Sequence, residues 1–170
     1  MSLFILCAVL AIPEKGWRRQ PAHGRTCNRL WTYLKYSPSE NWGAIPPAAR
    51  DSRQTLIAAA TAYFDIFANP DVKVPWGTPC NRLEGGIRTG RGMPDDSCNV
   101  GVPTGMSLTD RRFIADPEIG AVVGFIRWPS GVPDSHLFRV ETGKLRFVHS
   151  LTVCTVPNCG FAVRAPATRQ

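Results

Sequence analysis

Two of the chain's three histidines, His136 and His149, stand on either side of a short turn, where acid–base chemistry could be built. The stretch DSHLFRVETGKLRFVHSLTV, Asp134 to Val153, has two alternating runs around Thr142-Gly143. A Gly-containing two-residue turn between such runs predicts a β-hairpin. Counted outward from that turn, Glu141 pairs with Lys144, Val140 with Leu145, Phe138 with Phe147 and His136 with His149. Side chains alternate across a strand, so the last three pairs share one face. Glu141/Lys144, Arg139/Arg146 and Ser135/Ser150 fall on the other. Asp134 precedes His136 by two residues and shares its face. An imidazole titrates at about 6.5, and a carboxylate beside it can orient it. The pattern suits proton transfer on a small hydrophobic substrate: isomerisation, dehydration or cyclisation. His149 would be the acid or base, His136 its partner and Asp134 the orienting group. The competing reading is a structural hydrogen-bonded pair, because no nucleophile is marked elsewhere.

Two further residues could line such a site, each with a plainer reading beside it. Asp51 or Ser52 can cap a helix, with Gln54 three residues after Asp51. Leu56, Ala60, Tyr63, Phe64 and Phe67 then recur at helical spacing until Asn69-Pro70. Tyr63 either packs in the core or turns its hydroxyl into a pocket. Val74 to Val102 is punctuated by glycines and reads as a long irregular section with one short strand-like piece. In it Glu84 is either an ion-pair partner of Arg82 or a pocket carboxylate. Strands follow at 107–116 and 121–128, the second apolar on both faces and so central. One helix followed by strands reads as α+β.

The chain has 170 residues, 44% hydrophobic and 19% charged, enough for one domain with a sizeable core. The net charge of +7 points to nucleic acid at first sight, but residues 14–50 and the last ten residues carry the excess. Residues 51–160 hold eleven basic and eleven acidic side chains. Without a basic stripe on the domain, no nucleic-acid partner is expected. No phosphate-loop, dinucleotide, metalloprotease or hydrolase-elbow motif occurs, and neither a cofactor nor a metal site is expected.

The apolar run Leu3–Ile12 is too short to span a bilayer and reads as a signal peptide cleaved after Ala11. A buried strand or a misassigned start is the alternative, since no Lys or Arg precedes the run. Six cysteines fit an oxidising compartment. Cys80 and Cys98 should close the Gly-rich loop and Cys154 and Cys159 a short local one, leaving Cys27 without an evident partner.

The segments VPWGTPCNRLEGG (Val74–Gly86), DSCNVGVP, RRFIADPEIGAVVGF (Arg111–Phe125) and PDSHLFRVETGKLRFVHSLTV resemble a fungal secreted domain of unknown function. That domain is similar to the cone-shaped fold of nuclear transport factor two, shared with SnoaL-like cyclases, scytalone dehydratase and ketosteroid isomerase. The resemblance covers about residues 40–160 and implies a curved antiparallel sheet wrapped on an N-terminal helix around an apolar pocket. It names no activity, and a shared fold does not transfer one.

The expectations are therefore a signal peptide over 1–11, a basic irregular arm over 12–39, a cone-like α+β domain over 40–160 and a tail over 161–170. The expected function is a secreted protein that binds a small hydrophobic molecule in an apolar pocket lined by Tyr63, Glu84, Phe138 and Phe147, with histidine acid–base chemistry on that molecule. A homodimer is allowed and no membrane span is expected. The alternative is a non-catalytic extracellular interaction module.

Overall fold

A computed structural model describes the backbone of residues 26–152 and the side chains of residues 31–152. It is a mixed α+β structure. Helix α1 spans Thr26–Tyr36, and α2 spans Arg53–Asp65. Six strands follow: β1 (Trp76–Glu84), β2 (Ile87–Arg88), β3 (Thr109–Asp116), β4 (Ala121–Arg127), β5 (Pro133–Glu141) and β6 (Lys144–Thr152). They form one open, curved sheet in the order β2-β1-β6-β5-β4-β3.

Helix α2 forms where the apolar spacing requires it. Leu56, Ala60, Tyr63, Phe64 and Phe67 are all buried against the inner face of the sheet. The two candidate caps divide the work. Ser52 accepts the Thr55 N–H as the N-cap, while Asp51 Oδ2 accepts the Gly143 N–H at 2.9 Å and pins the hairpin turn to the helix start. In that turn Thr142 and Gly143 both have positive φ, the conformation a tight hairpin demands.

The sheet departs from the expected all-antiparallel arrangement. β1 lies beside β6 in parallel. The section read as irregular thus contributes a nine-residue strand, concealed by Gly77 and Pro79. Both residues have a local cause. A Cβ at position 77 would stand 2.5 Å from the Leu145 carbonyl. Pairing with β6 is suspended between Trp76 and Asn81, the interval that contains Pro79, and there the Cys80 N–H donates to Asp96 O instead. The rest of the Gly-rich loop is tied down by the Cys80–Cys98 disulfide and by Asp96, whose carboxylate accepts the Gly92 and Met93 N–H groups. Part of the segment read as an irregular arm is helix α1.

The hairpin register also differs. Glu141 pairs with Lys144 and Val140 with Leu145 as expected, but Arg139 then pairs with Phe147. Arg146 is an extra residue, a β-bulge. Beyond it Phe138 lies opposite Val148, Leu137 opposite His149 and His136 opposite Ser150. The expected Phe138/Phe147 and His136/His149 pairs do not form. Phe147 and His149 point to the outer face, while His136 and Phe138 point inward to α2. The unbulged register would have set Arg139 against Arg146, a repulsive pair. With the bulge, Arg139 and Arg146 both reach Glu141, and Arg146 also donates to Thr78 O.

Gly124, opposite His136 on β4, leaves room for the Phe64 ring: a Cβ there would stand 2.5 Å from it. Gly124→Ala should therefore destabilise the fold by about 1–3 kcal/mol through overpacking. Urea unfolding of the two proteins checks this, with the midpoint moving to lower urea in the variant.

Candidate functional site

The inner face gathers most of the polar residues singled out from the sequence into one buried network. Asp134 and His136 alternate along β5 with a residue between them, so both face α2. Tyr63 reaches down from the last turns of α2, and Arg82 and Glu84 stand at the end of β1. His136 is 1% exposed. Its Nδ1 lies 3.3 Å from Asp134 Oδ1 and its Nε2 lies 3.4 Å from Glu84 Oε1. The same Glu84 oxygen accepts the Tyr63 hydroxyl in a short hydrogen bond, and Glu84 Oε2 lies 3.3 Å from Arg82 Nε. Asp134 Oδ2 accepts the Trp128 indole N–H at 2.7 Å and the Thr152 hydroxyl. Arg82 donates to Val100 O, two residues beyond the disulfide-tied loop.

Aromatic rings wall in the imidazole. His136 stacks on Phe138 and meets Phe64 edge-on, with Tyr63 and Trp128 tilted against it. Burial by itself would push an imidazole toward its neutral form. Here the hydrogen bonding and charge of Asp134 and Glu84 outweigh burial and raise His136 to about 9. Burial likewise opposes the ionised forms of Glu84 and Asp134, yet contact with His136 leaves both below the ordinary carboxylate range. Burial and the Glu84 charge push the Tyr63 hydroxyl well up. Near neutral pH the network is therefore an imidazolium between two carboxylates, with a protonated phenol on one of them.

His149 belongs to a separate cluster on the outer face. Its Nε2 lies 2.7 Å from Glu40 Oε2, and Trp42 and Tyr33 meet its ring edge-on. Trp42 also packs on Phe147. The Tyr33 hydroxyl donates to Ser150 O and is pushed up to about 12, chiefly by burial. The structure thus brings together His136, Asp134, Tyr63, Glu84 and Phe138, and sets His149 and Phe147 apart from them. The Cys80–Cys98 bridge is formed. Cys154 and Cys159, and the side chain of Cys27, lie outside the described residues. Sequence reasoning missed Glu40, Trp128 and Thr152, and treated Arg82 only as a partner of Glu84. Glu40 reaches His149 from about a hundred positions away, whereas Trp128 lies six residues before Asp134 and Thr152 faces Asp134 across the hairpin only once the bulge has shifted the register.

A protein-family model described as a domain of unknown function, DUF8021, matches residues 49–152. The chain belongs to that family. No curated protein and no solved structure matches it. The DUF8021 match takes in the whole inner network, from Tyr63 to Thr152, and the outer-face residues Phe147 and His149. It leaves out Tyr33, Glu40 and Trp42. Two surface cavities among the described residues are lined neither by His136 or His149 nor by the expected pocket residues Tyr63, Glu84, Phe138 and Phe147. One is an open groove of about 510 Å3 along α2, bounded by Lys73 and Pro75, and the other lies at Arg112, Ile114 and Phe125.

The network makes stability depend on pH in both directions. The His136 pKa is raised from about 6.5 to about 9. Its contribution, roughly 3 kcal/mol from that difference, is complete below about pH 6.5 and disappears as pH rises through 9. The carboxylate contribution is complete above the ordinary Asp and Glu values and disappears as pH falls through the lowered ones. The melting temperature should be highest between about pH 5 and 6.5. Its decline from pH 6.5 to 10 should flatten in His136→Gln, and an unchanged alkaline decline would show that His136 is not held protonated.

Proposed function

We propose that this chain is a secreted, SnoaL-like domain that binds a small, largely apolar molecule at the Glu84 end of the inner sheet face. The chemistry we assign to it is proton transfer of the isomerase, dehydratase or cyclase kind. The observation that carries this reading is the position of Glu84. Its side chain is 22% exposed, whereas His136, Asp134 and Tyr63 behind it are closed off. A carboxylate at the mouth of a buried acid–base network can take a proton from a bound molecule, with the imidazolium behind it stabilising the charge that develops or returning a proton. Tyr63 and Arg82 hold the carboxylate in place. His149, on the other face, has no part in this chemistry. The acid–base role passes from a His136–His149 dyad to His136 with Glu84 and Asp134.

Strongly perturbed titratable groups clustered at one end of a sheet favour a functional centre. A curved sheet packed on α2 fits the cone-like architecture that the sequence resembles. The Cys80–Cys98 disulfide fits an oxidising, extracellular compartment. Among the described residues no helix is long and apolar enough to cross a membrane.

The second reading, an extracellular interaction module, has its own observation. Ile114 is 64% exposed beside Phe125 on the outer face of β3 and β4, and a second copy of the chain could cover that patch. Native mass spectrometry of protein purified from culture medium separates the two readings. The first predicts a co-purifying small molecule that Glu84→Gln loses by at least tenfold while its circular dichroism stays unchanged. Ligand-free protein from the medium, or a ligand retained equally by Glu84→Gln, would remove the first reading and leave the module.

A further inference from the structure

The segment Glu40–Ile45 crosses the outer face of the sheet without joining it. None of its residues belongs to a strand, and Asn41, Gly43 and Ala44 are exposed. A few anchors hold it. Glu40 Oε2 lies 2.7 Å from His149 Nε2 and accepts the Trp42 indole N–H at 2.9 Å. The Glu40 and His149 side chains are each 8% exposed. Trp42 packs on Phe147 and His149, with ring centroids 5.7 and 5.4 Å away. The buried Arg139 donates to Gly43 O at 2.9 Å. The Ile45 N–H donates to Glu118 O at 2.7 Å, and its side chain is buried near Gly120.

This is how a bound peptide is held: an aromatic anchor and a buried carboxyl group in sockets, with exposed backbone between them. The buried Glu40 carboxyl group accepts the Trp42 indole N–H and lies in contact with His149 Nε2, which has no aligned hydrogen bond of its own. The division of the chain sharpens the point. The socket residues Glu118, Arg139, Phe147 and His149 lie inside the family match at 49–152, and the anchors Glu40 and Trp42 lie outside it.

We propose that the outer sheet face is a peptide-recognition surface and that residues 40–45 occupy it in cis as an autoinhibitory strap. The partner it takes is a protein segment with an acidic residue two places before a tryptophan. The carboxylate goes to His149, the indole lies on Phe147, and a backbone carbonyl after the tryptophan goes to Arg139. Such a partner competes with the strap, whose covalent connection gives it a high effective concentration.

The test uses the full chain and a fluorescent nine-residue peptide of sequence SENWGAIPP, titrated by anisotropy. Trp42→Ala, which empties the aromatic socket, should bind the peptide saturably, and at least tenfold more tightly than the unmodified chain does. Peptides with Gln in place of the glutamate, or Ala in place of the tryptophan, should bind at least tenfold more weakly. Adding His149→Ala to Trp42→Ala should abolish binding. A folded Trp42→Ala chain that ignores the peptide, or that binds the altered peptides equally well, overturns the proposal. If Trp42→Ala does not fold, Glu40→Gln is titrated in its place, and the same two results decide the matter.

Discussion

The extra residue Arg146 in β6 determines which groups can meet in this molecule. Side chains alternate with a period of two, so one inserted residue sends everything beyond it to the other face. Leu145, before the bulge, and Val148, after it, both face α2. Phe147 and His149 are thereby released to the outer face. The bulge is held in place from several sides. Gly77 lets the Leu145 carbonyl approach β1, the Arg146 guanidinium caps the Thr78 carbonyl, and Glu141 takes both arginines. Without it, two imidazoles would share the inner face and compete for the space that Tyr63 and Phe64 fill.

The separation gives each histidine its own acid and its own surroundings. His136 sits between Asp134 and Glu84 under aromatic rings, where a charge is tolerated only because opposite charges touch it. Asp134 is in turn held by Trp128 and Thr152, and Glu84 by Tyr63 and Arg82. These charged contacts offset part of the desolvation cost of the buried network, in which His136 Nδ1 and Asp134 Oδ1 face each other at 3.3 Å as an ion pair without an aligned hydrogen bond. His149 meets a single acid, Glu40, delivered by a segment outside the matched domain. The inner cluster is built mainly from side chains of α2, β1, β5 and β6, whereas the outer one depends on a segment that belongs to no strand.

Much of the inner site was legible in the sequence because it follows local periodicity. The helical spacing from Leu56 to Phe67 placed Tyr63, and alternation along β5 put Asp134 and His136 on one face. The bulge was signalled in the residues themselves, since the unbulged register opposes Arg139 and Arg146. β1 was not legible, because Gly77 and Pro79 read as loop and its parallel pairing with β6 arises from chain topology rather than from a turn. Glu40 and Trp42 lie in an aperiodic run, and their meaning depends on residues about a hundred positions away.

The central claim is that His136 is an imidazolium held between two carboxylates. Its most direct test is the titration of the His136 ring nitrogens by nitrogen-15 NMR, assigned with the His136→Gln protein. The structure predicts that both nitrogens remain protonated through neutral pH, with a midpoint at about 9. A midpoint at or below about 6.5, or a single neutral tautomer at pH 7, would contradict it.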